Sequence, residues 1–363
     1  MRIQEKLSYF HASILIFMIQ TGVVLFSLPQ LLAQQFGTNG WIMLFFFGAI
    51  AQANIYLISL VYRLGQGRSL FEIVEQSVPK FILYPLYVAL VSIWALLGCL
   101  VTKEYVLIFQ MVAFPTTSPM VFKLIVDILV YGLLIKGIYN ISKAATVFFW
   151  LVVWMNLLIF FLYEEFNWSR LTPFFLQGGD NTVKGYFQVY SAFLGYELSL
   201  LLFPYSDKKT KLMKAATWGN MILCVTYAYL CLIVFGFLGA EQLKVMLFPV
   251  LDILAYIKFP FVERIENLFY GFFLFTVMIT TVMYTWSANE VGIRLIPKMK
   301  ENVMGFLIVG LVYLVSFIPD ILSKVQHWLN VLSMIEMGIA FGLPILAIFI
   351  LLLQKSKGEL PDG

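Results

Sequence analysis

Glu197 stands two residues after Gly195 in the apolar stretch Phe193-Leu194-Gly195-Tyr196-Glu197-Leu198, which runs on to Pro204. A carboxylate at membrane depth is costly unless paired, protonated or hydrated, so a functional role is its first reading. It can coordinate a cation or ammonium group, carry a proton, or anchor a broken helix. The structural alternative is a hydrogen bond to backbone freed on a neighbouring helix. Lys103-Glu104 forms a second charged pair inside an apolar run. Neighbours on a helix point about 100° apart, so the two need not pair with each other. They either meet an ion or ligand or snorkel to the outer face. Thr276, Thr280 and Tyr284 recur at intervals of four and share one helix face. Such a stripe serves as packing glue or as a binding surface.

A further polar group interrupts the first apolar run, Phe10 to Ala33, where Gln20, Thr21, Gly22 and Val23 precede Pro29. Glycine is a poor helix former and proline removes a backbone donor. In lipid the freed backbone must be satisfied by protein or a watery cavity. The run is therefore expected to break at the midplane and to face other helices. Two such interrupted segments in corresponding positions point to a transporter-type binding site. The expected ligand-binding set is Gln20, Thr21, Gly22, Val23, Gly195, Tyr196, Glu197, Thr280 and Tyr284. Lys103, Glu104 and Glu197 are the candidates for ion or charge-pair contacts. Backbone N–H groups near Thr21, Gly22 and Val23 suit a carboxylate, aided by the positive helix end. Carbonyls of Leu194–Tyr196, or Glu197 itself, suit an ammonium.

Catalysis finds no foothold. The chain has no G-x-S-x-G elbow, H-E-x-x-H pair, His box, Asp-rich prenyl-binding pair or phosphate loop. Cys99, Cys224 and Cys231 form no C-x-x-C pair, and His11 and His327 lie far apart. No metal, cofactor or enzymatic activity is expected. Basic residues are scattered among loops, which gives no support for nucleic-acid binding.

These residues sit in a chain that is 61% hydrophobic and 12% charged, with mean hydropathy +0.89, against about 25% charged in soluble proteins. It is an all-α polytopic membrane protein, and about ten spans can be marked. They cover 10–33, 41–62, 81–112, 121–139, 144–163, 186–204, 215–238, 268–291, 303–319 and 328–353. The third is long enough to tilt or project. The stretch 245–256 is too short to span, and lies on the surface or re-enters. Asp127 and Glu336 fall roughly two turns inside segments 4 and 10, within reach of the outer interface. With the N-terminus inside, sixteen Lys and Arg lie on inner segments, among them Arg2, Lys208 and Lys357, and seven on outer ones, including Lys123 and Lys258. That bias places both termini in the cytoplasm. The first run exceeds a signal peptide's apolar region and lacks its cleavage site, so it reads as a retained helix. The chain is expected to be one integral membrane domain, 1–363, in two halves of about 10–163 and 186–353.

Several stretches resemble the B subunits of nutrient germinant receptors of spore-forming bacteria, a branch of the amino acid–polyamine–organocation superfamily. They are the broken first helix ending in Leu28-Pro29, the turn Phe114-Pro115-Thr116-Thr117-Ser118-Pro119 and Lys136-Gly137-Ile138. Gly195-Tyr196-Glu197 running into Pro204-Tyr205 and Glu263-Arg264-Ile265-Glu266 complete the set. The likeness covers nearly the whole chain. Asn140 and Lys143 depart from it where relatives often carry Glu and Arg. The resemblance implies a LeuT-like fold of 5+5 inverted repeats with helices 1 and 6 broken. It also implies a small nutrient, usually an amino acid, bound at those breaks. Partners would be the receptor A and C subunits in the spore inner membrane, within membrane lipid. The alternative of a different class is a proton- or sodium-coupled amino-acid permease.

Overall fold

The computed structural model describes residues 6–207, 209–257 and 264–356. Arg2, Lys208, Lys258, Glu263 and Lys357, used above, lie outside the described residues. Every regular element described is helical. In chain order they are α1 (Tyr9–Gln20), α2 (Leu28–Phe36), α3 (Met43–Leu64), α4 (Leu70–Ser77), α5 (Lys80–Val112), α6 (Pro119–Leu134) and α7 (Ile138–Val153). There follow α8 (Val183–Ser191), α9 (Leu212–Leu238), α10 (Ala240–Leu243), α11 (Pro249–Leu254), α12 (Ile265–Leu295), α13 (Glu301–Val315) and α14 (Leu322–Ser356).

All ten apolar segments are helical. Among the described residues six helical spans are long and apolar enough to cross a membrane. Of the other four, two are broken, and α6 and α13 are short at 16 and 15 residues. Segment 3 is the single 33-residue helix α5, with Pro85 inside it. At 1.5 Å per residue it is about 50 Å long and projects well past a bilayer core of about 30 Å. Segment 5 continues α7 through a 3₁₀ stretch, Trp154–Glu165.

The helices α5 and α12 pack along each other through the middle of the molecule. Around them the contacts come in matched sets. The packing of α5 on α14 is repeated by α12 on α7, α5 on α6 by α12 on α13, and α5 on α13 by α12 on α6. In these three pairs, replacing each segment by the one five places later returns a packing that is also made, as an inverted repeat requires.

Two short elements pack against the spans, the first unmarked by hydropathy and the second marked as too short to cross. The helix α4 starts with a capping box, Ser69 and Glu72, and lies against α14. The stretch 245–256 folds back as α11, which buries Val250, Leu251, Ile253 and Leu254 against α2, α9, α12 and the turn after α1. Its apolar face is covered by protein. Lys123 and Asp127 correct the surface reading given to them. They form a 2.5 Å ion pair within α6, with side-chain exposures of 0% and 7%, because a buried charge must bring its partner along. Glu336 is likewise fully buried on α14.

A cavity between two broken helices

The first break follows from Gly22. The helix α1 ends at Gln20, and Thr21 and Gly22 are extended. A single 3₁₀ turn, Val23–Phe26, then leads into α2, whose first turn holds Pro29. Proline suits that position because its missing N–H would be unsatisfied there anyway. The exposed backbone finds partners from α9. Tyr227 Oη donates to Gln20 O at 3.2 Å and accepts from Gly22 N–H at 3.4 Å. Thr280 Oγ1 on α12 lies 3.1 Å from Ile19 O and 3.3 Å from Met18 O.

The second break is made differently. After α8 the chain turns through Gly195 at φ +118°, and then runs as a 3₁₀ helix, Tyr196–Tyr205. A positive φ of this kind is open to glycine and strained for other residues. A Cβ on Gly195 would lie 2.7 Å from Ile19 Cγ2 and 3.2 Å from Gln20 N. The two breaks are therefore in contact. Gln20 stitches them together, its Nε2 donating to Phe193 O at 2.7 Å and to Asn220 Oδ1 at 3.2 Å.

Glu197 turns back on this break. Its Oε2 accepts from Gly195 N–H at 2.7 Å and its Oε1 from Tyr284 Oη at 3.1 Å. Behind it, both oxygens of Glu336 accept from Trp94 Nε1, at 2.9 and 3.0 Å. The two carboxyl groups belong to one buried cluster. Trp94, which holds Glu336, lies one turn before Gly98, where an added Cβ would be 3.3 Å from Cβ of the Tyr284 that holds Glu197.

Beside the first break lies a cavity of about 250 Å³. Of the residues expected from sequence, Gln20, Gly22, Val23, Thr280, Tyr284 and Glu104 line it. A Cβ on Gly22 would meet nothing within 4 Å, so this glycine leaves space rather than contact. The buried Oε1 of Gln20 has no hydrogen-bond partner. Glu104 accepts from Gln326 Nε2 at 3.2 Å.

The remaining expected residues stand off the cavity. Thr21 borders an apolar crevice on the other side of α1 and donates to Phe17 O at 2.8 Å. Gly195 and Glu197 form the second break behind the wall. Tyr196 is fully buried, and its hydroxyl meets Tyr190 Oη at 2.7 Å and Asn54 Nδ2 at 2.8 Å. Lys103 points toward α6, its Nζ 2.8 Å from Met120 Sδ. Sequence reading missed Gln188 and Ser191 on α8, and Gln326, Asn330 and Ser333 on α14, all of which line the cavity. For the three on α14 the signal was the spacing 326, 330, 333 on one helix face. It was cut short because α14 starts six residues before the apolar run that marked it, leaving Gln326 outside.

Ten helical segments, two of them broken at mid-depth beside a cavity, define a multi-pass membrane protein of LeuT-like fold. The solved structure of MhsT in complex with L-phenylalanine shares this fold. It is 14% identical, with a TM-score of 0.67 over 96% of this chain and 89% of that one. More specifically, the chain belongs to the spore germination protein family, whose model matches residues 6–325. It is 24% identical to spore germination protein GerQB of Bacillus cereus over 89% of each chain. With spore germination protein A2 of Bacillus subtilis (strain 168) the identity is 25% over 96% of each.

Proposed function

We propose that this protein is the B subunit of a spore nutrient germinant receptor, and that a small amino acid binds in the cavity beside the first break. The observation that carries this reading is a cavity with two different polar ends. One is the side-chain-free backbone that follows the end of α1 at Gly22. The other is the carboxylate of Glu104. A zwitterion matches both: its carboxylate toward the N–H of residue 23, next to the Gly22 N–H that Tyr227 Oη already takes, and its ammonium toward Glu104. The volume of about 250 Å³ lies below the roughly 300–1,000 Å³ usual for drug-sized ligands, which favours a small solute.

In this reading Glu104 replaces Glu197 as the ammonium partner, since Tyr284 separates Glu197 from the cavity. Gly195, Tyr196 and Glu197 shape the wall rather than touch the ligand. The protein binds and signals without catalysing a reaction. The chain is one membrane domain of two repeats, about 10–163 and 186–353. Among the described residues, Lys6 before α1 donates from Nζ to Pro204 O at 2.5 Å, and Arg68 reaches Gln354 near the end of α14 at 3.4 Å. By the charge bias the basic segments that hold these residues are cytoplasmic. The receptor A and C subunits are the partners, in the spore inner membrane.

The test is Gly22→Leu in place of the native gene. A Cβ there meets nothing within 4 Å, so a leucine side chain has room to enter the cavity. We expect normal protein levels in the membrane and no germination response across a panel of amino acids. A retained response would remove the ligand from this cavity. Tagged protein that is made in growing cells, purifies alone and drives amino-acid uptake in proteoliposomes would favour the permease instead.

A further inference from the structure

Glu336 does not line the cavity, yet it is completely buried in a bilayer-spanning helix. Its two oxygens share one donor, Trp94 Nε1 on α5. Facing it is Glu197, 3% exposed, whose donors are Gly195 N–H and Tyr284 Oη. Among the described residues neither carboxyl has a Lys, Arg or His partner. The titratable groups nearby are tyrosines: Tyr284 on α12, Tyr196 beside Glu197 itself, and Tyr190 on α8. The helix α3 contributes only Asn54, bonded to Tyr196 Oη and to Ala340 O on α14.

Two carboxyl groups this close, with no cation and little water, cannot both ionise, because each charge disfavours the other and both are desolvated. If one keeps its proton it becomes a donor to its neighbour, and O–H···O⁻ bonds are of the short, charge-assisted kind. We propose that Glu197 and Glu336 form a proton-binding site, in which one proton shared between the two carboxyls ties the second helix break to α14. The ligand is a hydrogen ion exchanged with water. Binding forms one O–H bond, and release requires α14 to move away from residues 195–197, because two anions cannot persist there face to face. Tyr284 connects the site to the cavity, since it lines the cavity and its hydroxyl rests on Glu197. Only that connection rests on the reading of the cavity as a nutrient site.

Infrared spectroscopy of the purified full chain at pH 7, with no added solute, tests the pair. The wild type should show a protonated-carboxyl C=O band that shifts in D₂O. In each of Glu197→Gln and Glu336→Gln, the remaining carboxylate gains an amide donor and loses its like-charged neighbour. The band attributable to the pair, taken against the double Gln variant, should fall at least twofold in each. A wild type with the same spectrum as the double variant overturns the proposal. So does a single variant that keeps the band at full strength, because that carboxyl then holds its proton alone. Gln reproduces the shape of the protonated acid. If one single variant nevertheless fails to fold, the other, read against wild type and double variant, decides. Because no amino acid is added, a positive result stands even if Gly22→Leu shows the cavity to be empty of nutrient.

Discussion

The two breaks share a sequence sign, a glycine followed by a proline, and differ in what the glycine does. At Gly22 the missing side chain leaves open space and the backbone faces a cavity. At Gly195 it permits a positive φ and lets Ile19 approach closely. One glycine opens onto a cavity and the other makes a joint. Glycine in an apolar helix therefore marks irregular backbone, but only the surroundings say whether that backbone receives a ligand or another helix.

Substitutions at the two glycines are the sharpest way to break this comparison. Gly195→Ala should cost about 2–5 kcal/mol, from the left-handed backbone and from overpacking against Ile19. Reduced yield in the membrane and a lower unfolding midpoint in detergent would show it, whereas an unchanged midpoint would mean that the joint is slack. Gly22→Leu should leave that midpoint in place and abolish response, as set out above. Glu104→Gln sharpens the assignment of the ammonium end. Loss of a charge-assisted bond of about 1.5–3 kcal/mol corresponds to roughly ten- to hundredfold weaker response to amino acids. Equal sensitivity in wild type and variant would move the ammonium elsewhere. Smallest is Thr280→Val, which removes the hydroxyl beside the last carbonyls of α1 and should lower stability by about 1 kcal/mol. Thermal unfolding measures it, and a loss as large as that of Gly195→Ala would make Thr280 part of the joint.

Much of this architecture was legible because membranes punish irregularity. Gly22, Pro29, Gly195 and Pro204 stand out against apolar surroundings, and both breaks fall where they mark them. What sequence could not supply was rotation about each helix axis. Lys103 and Glu104 are adjacent, yet one faces α6 and the other the cavity. Glu336 was misplaced for a related reason. Residues 322–327 are polar enough to hide the first turns of α14, so counting from Trp328 puts the carboxyl near an interface. Counted from Leu322, it is about four turns deep. The short helices α4 and α11 offer too few residues to show a period.

The wiring of the first break also sets a timetable for biosynthesis. Gln20 is bonded to Phe193 and Asn220, and the backbone beside it to Tyr227, partners 173, 200 and 207 residues further along the chain. At about 5–20 residues per second, the ribosome needs roughly 10–40 s to produce them. Throughout that interval the Gln20 amide and the freed backbone at residues 20–22 would be stranded in lipid. The first segment must therefore enter the bilayer as an unbroken helix or wait in the shelter of the insertion machinery. It acquires its kink only when the second half of the protein arrives.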